Sequence, residues 1–308
     1  MSTLYYTHPS SLEHDTGPGH PESAHRLKAV LDTLSGPDFA ALVRRAAPRG
    51  SVWDIKRVHD DDYIQGVFAA VPEAGYASLD ADTVLSPGSG EAALYAAGGV
   101  CQAVDAVHAG EAHNAFCALR PPGHHAERDR AMGFCLFNNV AIAAFHALEL
   151  EGIERVAVMD FDVHHGNGTQ QAFWDSENLM YASTHQSPCY PGTGAERERG
   201  AFGNIVNAPL PPGSSGDDFR DAFGFIRTAL NDFAPDMLII SAGFDAHAHD
   251  PLAQLNLTEA DFVWVTEELL KIAAAHGEGR VVSVMEGGYD VEALTRSVAA
   301  HVKALMAA

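Results

Sequence analysis

The sequence predicts an α/β fold in which a central, mostly parallel β-sheet carries helices on both faces. Short apolar runs, rich in β-branched residues, alternate along the chain with segments whose apolar residues recur at helical spacing. This alternation is typical of parallel strands joined by helices. Polar or glycine-rich segments follow the predicted strands, so we expect the active site at the carboxyl ends of the strands. The predicted strands are residues 115–119, 155–159, 179–182, 236–241 and 280–285.

Four helices are predicted between and around these strands. Residues 21–34 place apolar side chains three and four positions apart, and residues 138–150 and 218–230 also read as helices. Another helix is predicted to begin after Thr258, whose side chain is suited to cap a helix N-terminus. The order of strands and helices therefore indicates a parallel sheet between two helical layers.

Length and composition indicate one domain that covers residues 1–308. Large α/β enzymes often form a single unit of this size. The proline and glycine clusters at 86–90 and 209–216 are short enough to be loops, and no linker or internal repeat divides the chain. The sequence has no stretch of about 18 apolar residues and no basic segment followed by an apolar core, so we expect a cytoplasmic protein.

The chain carries 41 acidic and 19 basic residues, which gives a formal net charge of −22. Such a surface repels nucleic acid and anionic membranes, so neither is an expected partner. A cationic substrate, such as a lysine-rich tail or a polyamine, would be attracted. Adaptation to solubility or to a salt-rich habitat explains the charge equally well.

The most informative segment of the chain follows the second predicted strand. Asp160, Asp162 and His164 are spaced by two, so an extended backbone would aim all three side chains to one side. Two carboxylates and an imidazole suit a divalent cation, and the imidazole favours zinc or iron over magnesium or calcium. A turn with ordinary hydrogen bonds is the alternative interpretation of this segment taken alone.

Chemically active side chains also follow three other predicted strands. His124 and His125 come after the first strand, Asp245 after the fourth and Tyr289 after the fifth. Because the carboxyl ends of parallel strands open onto a common crevice, we expect these residues to surround the metal. Tandem histidines on a loop, or a tyrosine after two glycines, would otherwise be ordinary loop residues.

Four motifs occur in the order R-P-P-G-H-H-A, D-x-D-V-H-H-G-N-G-T, S-A-G-F-D-A and E-G-G-Y-D. Together they resemble the motifs of the zinc-dependent histone deacetylase family, whose bacterial relatives include acetylpolyamine amidohydrolases. The resemblance extends from Tyr5 to about His301, and Asn167 and Glu286 give the second and fourth motifs a class II-like form. It implies the arginase/deacetylase fold and a hydrolase that removes acetyl or other short acyl groups from amines.

The resemblance implies a metal site with three protein ligands, Asp162, His164 and Asp245. Three ligands leave one or two positions open for water and a substrate carbonyl, which is typical of a catalytic metal. Zinc is the expected ion, and Fe²⁺ is the alternative in vivo. A structural monovalent cation, usually potassium, is implied at Asp160, Asp162, His164, Ser183 and Thr184, partly through backbone oxygens.

The resemblance also assigns proton transfer to the tandem histidines. His125 is expected to act as general base toward the attacking water, and His124 to stay positively charged or to serve as an electrostatic partner. Asp160 would orient His124, and Asn167 would orient His125. Because Asn167 is neutral, it cannot raise the pKa of His125 as a carboxylate would, so His125 can stay unprotonated near pH 7. Tyr289 is expected to donate to the substrate carbonyl oxygen as negative charge develops.

By resemblance, Phe134 and Tyr190 are aromatic walls that enclose the alkyl arm of the substrate. The Gly133 carbonyl is expected to accept a hydrogen bond from the scissile amide. Tyr190 departs from the phenylalanine that is common in relatives and adds a hydroxyl at the wall. Leu252 stands where one polyamine-specific subgroup has a carboxylate, which disfavours that subgroup for this chain.

An acylated lysine in a peptide is therefore the first substrate hypothesis, and a small acylated amine such as an acetylpolyamine is the second. His20, Glu22 and Asp82 are candidates to supply charge at the rim of the pocket. Two hypotheses come from other classes: an arginase-like hydrolase with two metals, and an inactive protein that only binds acylated lysine. Metal stoichiometry and an acetyl-lysine turnover assay separate these hypotheses from a deacetylase. The sequence is compatible with a monomer and with a homo-oligomer.

Overall fold

The computed structural model describes residues 2–308, which contain an eight-stranded parallel sheet and a separate antiparallel pair of short strands. The strands are Thr3–Thr7 (β1), Val43–Ala46 (β2), Ala77–Ser78 (β3), Val84–Leu85 (β4), Asn114–Cys117 (β5), Val156–Asp160 (β6), Leu179–Gln186 (β7), Ile205–Leu210 (β8), Met237–Ala242 (β9) and Val281–Met285 (β10). The sheet has the order β2-β1-β5-β10-β9-β6-β7-β8, and β3 pairs with β4. Strands β5, β10, β9 and β6 therefore lie side by side at its centre.

The described residues contain ten α-helices and a short 3₁₀ helix at Pro37–Phe39. None of these helices is long and apolar enough to cross a membrane. The α-helices are Ser10–Glu13 (α1), Ala24–Leu34 (α2), Val52–Ile55 (α3), Asp61–Ala70 (α4), Ser89–His108 (α5), Asn139–Ala147 (α6), Asn167–Phe173 (α7), Gly216–Phe233 (α8), Glu259–His276 (α9) and Val291–Met306 (α10).

Both faces of the sheet are covered by helices. Along β6, Val156 and Val158 pack with apolar residues of α5 and α6, whereas Ala157 and Met159 pack with residues of α2, α8, α9 and α10. Successive residues of a strand point to opposite faces, so a strand buried on both sides must be apolar throughout. This requirement explains the continuous apolar runs in the sequence and leaves the strand ends as the place for polar chemistry.

The five predicted strands are present, with shifted ends, and the prediction of helices on both faces is confirmed. Strand β7 is longer than predicted, so Ser183 and Thr184 lie within the strand and not in a loop after it. Helix α2 begins at Ala24 because Ser23 still has an extended backbone. The sequence reasoning missed β1, β2 and β8 in the sheet, and it also missed α5, which begins inside the cluster treated as a loop.

A buried ion-pair network of Glu22, Arg26 and Arg120 holds together the segments that carry the predicted site residues. Glu22 is fully buried, and its carboxylate accepts hydrogen bonds from Arg120 Nε and from Arg120 Nη2 (2.6 Å). Arg26 Nη1 also donates to Glu22 Oε1 at 3.0 Å, while its Nε donates to the carbonyl oxygen of Gly288 at 2.6 Å. Burial alone would raise the pKa of Glu22, but the two guanidinium groups lower it to about 2. Glu22 thereby ties together the segments that precede the tandem histidines and Tyr289.

We expect Glu22→Gln to lower the thermal unfolding midpoint by about 5–8 °C. Breaking a buried ion pair costs about 3–5 kcal/mol, and in a chain of this length each kcal/mol lowers the midpoint by roughly 1.5 °C. Glutamine keeps the shape of the side chain but leaves two buried guanidinium groups without a counter-charge. Glu91→Gln is the matched control, since Glu91 pairs with Arg49 at the surface and both side chains are about half exposed. Similar shifts in the two variants, measured by calorimetry, would contradict a structural role for the buried network.

Candidate active site

The predicted site residues meet at the carboxyl ends of the four central strands. His124 and His125 follow β5, Asp162 and His164 follow β6, Asp245 follows β9, and the segment to Tyr289 follows β10. Because these strands are neighbours and parallel, their ends bring residues that are far apart in sequence into one crevice. The expectation of converging loops is correct for these four strands, and the loop after the fifth, β7, also reaches the crevice through Tyr190, whose ring lies 5.1 Å from that of His125.

Asp162, His164 and Asp245 form a compact group of possible metal ligands. Each offers one ligand atom, these atoms lie within 4.8 Å of one another, and all three residues are buried. His164 Nδ1 lies 3.1 Å from Asp162 Oδ1 and 3.2 Å from Asp245 Oδ2. Among residues 2–308 this is the one such group of three or more histidine, cysteine or acidic side chains.

The electrostatics of this group suit a divalent cation. Burial and the neighbouring charge of Asp162 raise the pKa of Asp245 to about 7. Burial lowers the pKa of His164, but its contacts with the two carboxylates outweigh that effect and raise the pKa well above its usual value. The group thus attracts positive charge, and a metal ion would compete with protons for the same atoms. Two carboxylates with one imidazole fit zinc or iron.

Two glycines let the backbone pass directly behind the carboxylates. A Cβ atom on Gly243 would collide with the carboxylate of Asp162, and one on Gly287 would collide with the carboxylates of both Asp162 and Asp245. The backbone N–H of Gly287 donates to Asp162 Oδ2 at 2.9 Å, and that of Val163 donates to Asp245 Oδ1 at 2.9 Å. Gly243 in the third motif and Gly287 in the fourth are therefore required by close packing against the ligand group.

Asp160 does not point to the ligand group, so the expectation that an extended backbone aims Asp160, Asp162 and His164 to one side is wrong. Strand β6 ends at Asp160, and the backbone then turns: the N–H of Asp162 donates to Asp160 Oδ1 and that of His164 donates to Asp162 Oδ1. The other carboxylate oxygen of Asp160 lies 2.9 Å from His124 Nδ1 and accepts from the Tyr181 hydroxyl at 3.1 Å.

The two tandem histidines have opposite electrostatic surroundings. Burial lowers the pKa of His124, but the charges of Asp162 and Asp160 outweigh it and raise this pKa to about 10. Burial, together with the positive charge of His124, lowers the pKa of His125 well below its usual value. Their ring centroids are only 4.0 Å apart, so a charge on one ring disfavours a charge on the other. Near pH 7, therefore, His124 is protonated and His125 is neutral.

The tautomer of His125 follows from its hydrogen bond to Asn167. His125 Nδ1 lies 2.9 Å from Asn167 Oδ1, which is an acceptor, so Nδ1 carries the proton. The orientation of the amide is fixed because Asn167 Nδ2 donates to Glu127 Oε1 at 2.6 Å. His125 Nε2 is left with a free lone pair, as a general base requires.

Tyr289 closes the opposite side of the crevice. The Arg26 guanidinium lies over its ring, 4.8 Å from the centroid, and the Phe134 ring meets it edge-on at 5.8 Å. Burial raises the pKa of Tyr289 well above its usual value, so its hydroxyl stays protonated and can donate a hydrogen bond. The backbone N–H of Tyr289 donates to Asp250 Oδ2 at 2.7 Å, which anchors the loop.

The crevice opens to solvent through a cavity of about 240 Å³. Phe134 and Tyr190 contribute aromatic walls, and Leu252 is partly exposed beside them. Four larger surface depressions, of about 600, 560, 420 and 320 Å³, contain none of the predicted site residues. The small cavity is therefore the one that leads to the predicted site residues. It is lined by Asp82, His125, Gly133, Phe134, His164, Tyr190, Leu252 and Tyr289.

The three residues expected to supply charge at the rim of the pocket differ in their positions in the structure. Asp82 lines the cavity, and His20 lies beside it, with its ring edge-on to Phe134 at 4.9 Å. Glu22 does not supply rim charge, because it is fully buried and neutralised by Arg120 and Arg26. Sequence proximity to His20 suggested a surface position, whereas the pairing partner Arg120 lies 98 residues away in sequence.

The residues suggested for a monovalent cation are neighbours across β6 and β7. Asp160 is paired in register with Ser183, whose hydroxyl lies 2.9 Å from His185 Nδ1. The Thr184 hydroxyl is buried and has no hydrogen-bond partner among the described residues. These contacts are compatible with the predicted site, which stays a prediction.

Sequence reasoning gave no role to several residues that organise the site. Asp250 holds the backbone of Tyr289, and Tyr181 holds Asp160. Glu286 is buried, and burial raises its pKa to about 7. Glu286 was visible only as part of a motif, while the partners of Asp250 and Tyr181 depend on tertiary contacts that no local pattern reveals.

Comparisons with known proteins agree with this geometry. The family model described as Histone deacetylase domain matches residues 20–305. A histone deacetylase-like amidohydrolase of Pseudomonas aeruginosa is 44% identical over 275 residues, which cover 87% of this chain and 71% of that protein. Histone deacetylase 14, chloroplastic, of Arabidopsis thaliana is 37% identical over 328 residues, covering 98% of this chain and 76% of that protein.

The crystal structure of the HDA15 HD domain matches with a TM-score of 0.94 at 33% sequence identity, covering 100% of this chain and 89% of that one. The fold is therefore the arginase/deacetylase fold expected from the motifs. Together with the family model and the relatives, this likeness shows that the chain belongs to the histone deacetylase family.

Proposed function

We propose that this protein is a zinc-dependent amidohydrolase that removes acetyl or other short acyl groups from the ε-amine of lysine in peptides or proteins. The observation that carries the proposal is the pairing of a neutral His125, with a free Nε2, and a charged His124 beside the ligand group. A structural site has no need of a desolvated base of this kind. The histidine pair and the ligand group lie at the base of a narrow aromatic cavity, which suits a linear substrate arm.

Different residues of this chain bind the metal, transfer the proton and stabilise the developing negative charge. A divalent cation held by Asp162, His164 and Asp245 would acidify a water molecule and polarise the amide carbonyl. His125 Nε2 accepts the proton of the attacking water and later delivers it to the leaving amine nitrogen. The Tyr289 hydroxyl donates to the carbonyl oxygen as negative charge develops there. Asp160 keeps His124 charged and oriented, which adds positive potential next to the reacting carbonyl.

The cavity walls determine how the substrate enters. Phe134 and Tyr190 can enclose an alkyl arm, and the Gly133 carbonyl can accept from the amide N–H. A potassium-type cation between β6 and β7 would support the backbone that presents Asp162 and His164. We expect the substrate to be an acylated lysine peptide or a small acylated amine, with no role for nucleic acid or a membrane.

A deacetylase of small acylated amines such as acetylpolyamines is the second candidate. Asp82 favours it, because its carboxylate lines the cavity and could attract an ammonium group farther along the substrate. Asp82 Oδ1 already accepts from the backbone N–H of Gly133 at 3.1 Å and from the Thr83 hydroxyl at 3.1 Å. Leu252, on the same cavity, is neutral, so we rank the lysine peptide first.

We expect Asp245→Ala to lose both the metal and activity while the protein remains folded. The variant keeps one carboxylate and one imidazole, which are too few ligands for a stable site. Metal content is measured by atomic emission on purified protein, with circular dichroism as the test of folding. Asp105→Ala is the control, since Asp105 pairs with His146 outside the site. One equivalent of metal retained in Asp245→Ala would refute the ligand assignment.

We expect Tyr289→Phe to reduce kcat by about 10²–10³, the usual effect of removing one oxyanion donor. KM should stay within severalfold, because the ring still packs and the metal ligands are untouched. Tyr63→Phe is a matched control: it removes a hydroxyl that donates to the Leu136 carbonyl oxygen at 2.6 Å, outside the cavity. If Tyr289→Phe keeps more than about a third of the wild-type kcat with chemistry rate-limiting, Tyr289 is not the oxyanion donor.

We expect higher kcat/KM for acetyl-lysine peptides than for acetylspermidine. Leu252→Glu should shift the ratio toward the polyamine, because a carboxylate attracts a distal ammonium group and a neutral peptide amide gains nothing. Leu252→Gln, which has nearly the same shape without charge, should leave the ratio close to that of the wild type. A tenfold wild-type preference for acetylspermidine would replace the first candidate with the second.

A further inference from the structure

Glu286 occupies an unusual position for an acidic residue. It directly follows β10, is 1% exposed, and lies three residues before Tyr289. Its Oε2 accepts from the backbone N–H of Gly123 at 2.7 Å and, at a longer 3.4 Å, from that of His124. Its Oε1 accepts from the Ser241 hydroxyl at 3.0 Å. Both carboxylate oxygens are therefore committed to fixed partners.

These contacts join the parts of the site that must act together. The side chain holds the segment that carries the two histidines, which follows the neighbouring strand β5. The next residue, Gly287, donates its N–H to Asp162 Oδ2, and the Glu286 carbonyl accepts from Arg26 Nη2 at 2.7 Å. Glu286 and Gly287 together thus connect the histidine segment, the proposed metal ligand Asp162 and the start of the Tyr289 loop.

Burial makes a carboxylate costly at this position, and the charge of His124 and the hydrogen bond from Gly123 only partly offset that cost. Asp160 and Asp162 are buried nearby, and both add negative potential at Glu286. An apolar side chain would avoid this repulsion but would leave the buried N–H of Gly123 without an acceptor. The Gly123 backbone is closely packed here, since a Cβ atom on this residue would lie 2.5 Å from the backbone nitrogen of Asn139 and 2.9 Å from the carbonyl oxygen of Phe137. An acceptor at residue 286 is therefore required to hold the histidine segment in place.

We propose that Glu286 is a positioning residue that sets the distance between His125 and Tyr289 by accepting the Gly123 N–H. The inference rests on the proposed deacetylase function. Glu286 does not touch the reacting atoms; it acts through the backbone of the histidine segment. The feature that matters is a hydrogen-bond acceptor at residue 286, and its negative charge is secondary.

Two substitutions separate the acceptor from the charge. Glu286→Gln keeps an acceptor for Gly123, and its NH₂ group can donate to the Ser241 hydroxyl. Glu286→Met has a similar length but offers no comparable acceptor. We expect Glu286→Met to lower kcat by about 100-fold, the size of effect that a misplacement of about 1 Å produces, with KM for an acetyl-lysine peptide within threefold. Glu286→Gln should restore kcat to within about fivefold of wild type.

A readout independent of turnover follows the hydrogen bond itself. In the metal-loaded protein, the Gly123 amide should exchange with solvent at least tenfold faster in Glu286→Met than in wild type, and Glu286→Gln should retain protection. Val282→Ala is the control for simple destabilisation, because Val282 is buried on the same strand but packs on the sheet face against α5 and α6. It should lower the unfolding midpoint without lowering kcat.

The outcomes are distinguishable. If wild type turns over no acylated amine, the proposed function fails, whereas the exchange experiment still reports on Glu286. If wild type is active and Glu286→Met keeps its kcat, the positioning role is overturned. Equal loss in the Gln and Met variants would assign the effect to charge and would also overturn it. Should Val282→Ala lose kcat in proportion to stability, Glu286 would be a purely structural residue.

Discussion

Burial of negative charge is the constraint on which this structure depends. Asp160, Asp162, Asp245 and Glu286 lie almost without solvent contact at the ends of the three adjacent strands β10, β9 and β6. Isolated buried carboxylates are unstable unless they are paired, hydrogen-bonded or protonated. Asp160 is satisfied by His124 and a tyrosine hydroxyl, and Glu286 by backbone N–H groups and a serine. Asp162 and Asp245 share the imidazole of His164, and Asp162 also lies 3.9 Å from His124 Nε2, so the pair of carboxylates can still accommodate the charge of a divalent cation.

The same constraint explains why two adjacent histidines differ. His124 faces Asp160 and Asp162, so it carries the positive charge that these carboxylates need. His125 is turned toward a neutral amide and lies against a charged ring, so it stays neutral with its proton on Nδ1. The polar contacts around each ring thus set the protonation states, while the strand ends set the positions. A neutral ring and a positively charged ring arise from identical side chains.

Local patterns in the sequence were enough to predict that Asp162, His164, Asp245 and the tandem histidines meet, because each follows an apolar strand, whereas the choice of the three ligands came from the family resemblance. They were not enough for the sheet edges: β2 is an exposed, arginine-containing strand, and β8 contains Pro209, which is tolerated at an edge. Helix α5 was not predicted because Gly98 and Gly99 interrupt its apolar pattern. Gly98 is needed there, since a Cβ would collide with the backbone of Pro48 and Gly50.

Long-range pairing was the other source of error. Glu22 was expected at the rim, but Arg120 and Arg26 hold it in the core. The spacing of residues placed Asp160 beside the ligand group, but a turn after β6 directs it to His124, the partner that the family resemblance implied. Neither outcome follows from the spacing of residues along the chain. Both follow once the strands are placed side by side and each buried charge is given a partner.

The most direct test of this charge balance is a calorimetric titration of metal-depleted protein with Zn²⁺ in buffers of different ionisation enthalpy. At pH 7 we expect one zinc ion to bind per chain and about one or more protons to be released, because the cation displaces protons held by Asp245 and His164. Asp245→Ala should abolish this binding. Binding of two ions per chain, or tight binding without proton release, would contradict a single zinc site built from these buried carboxylates.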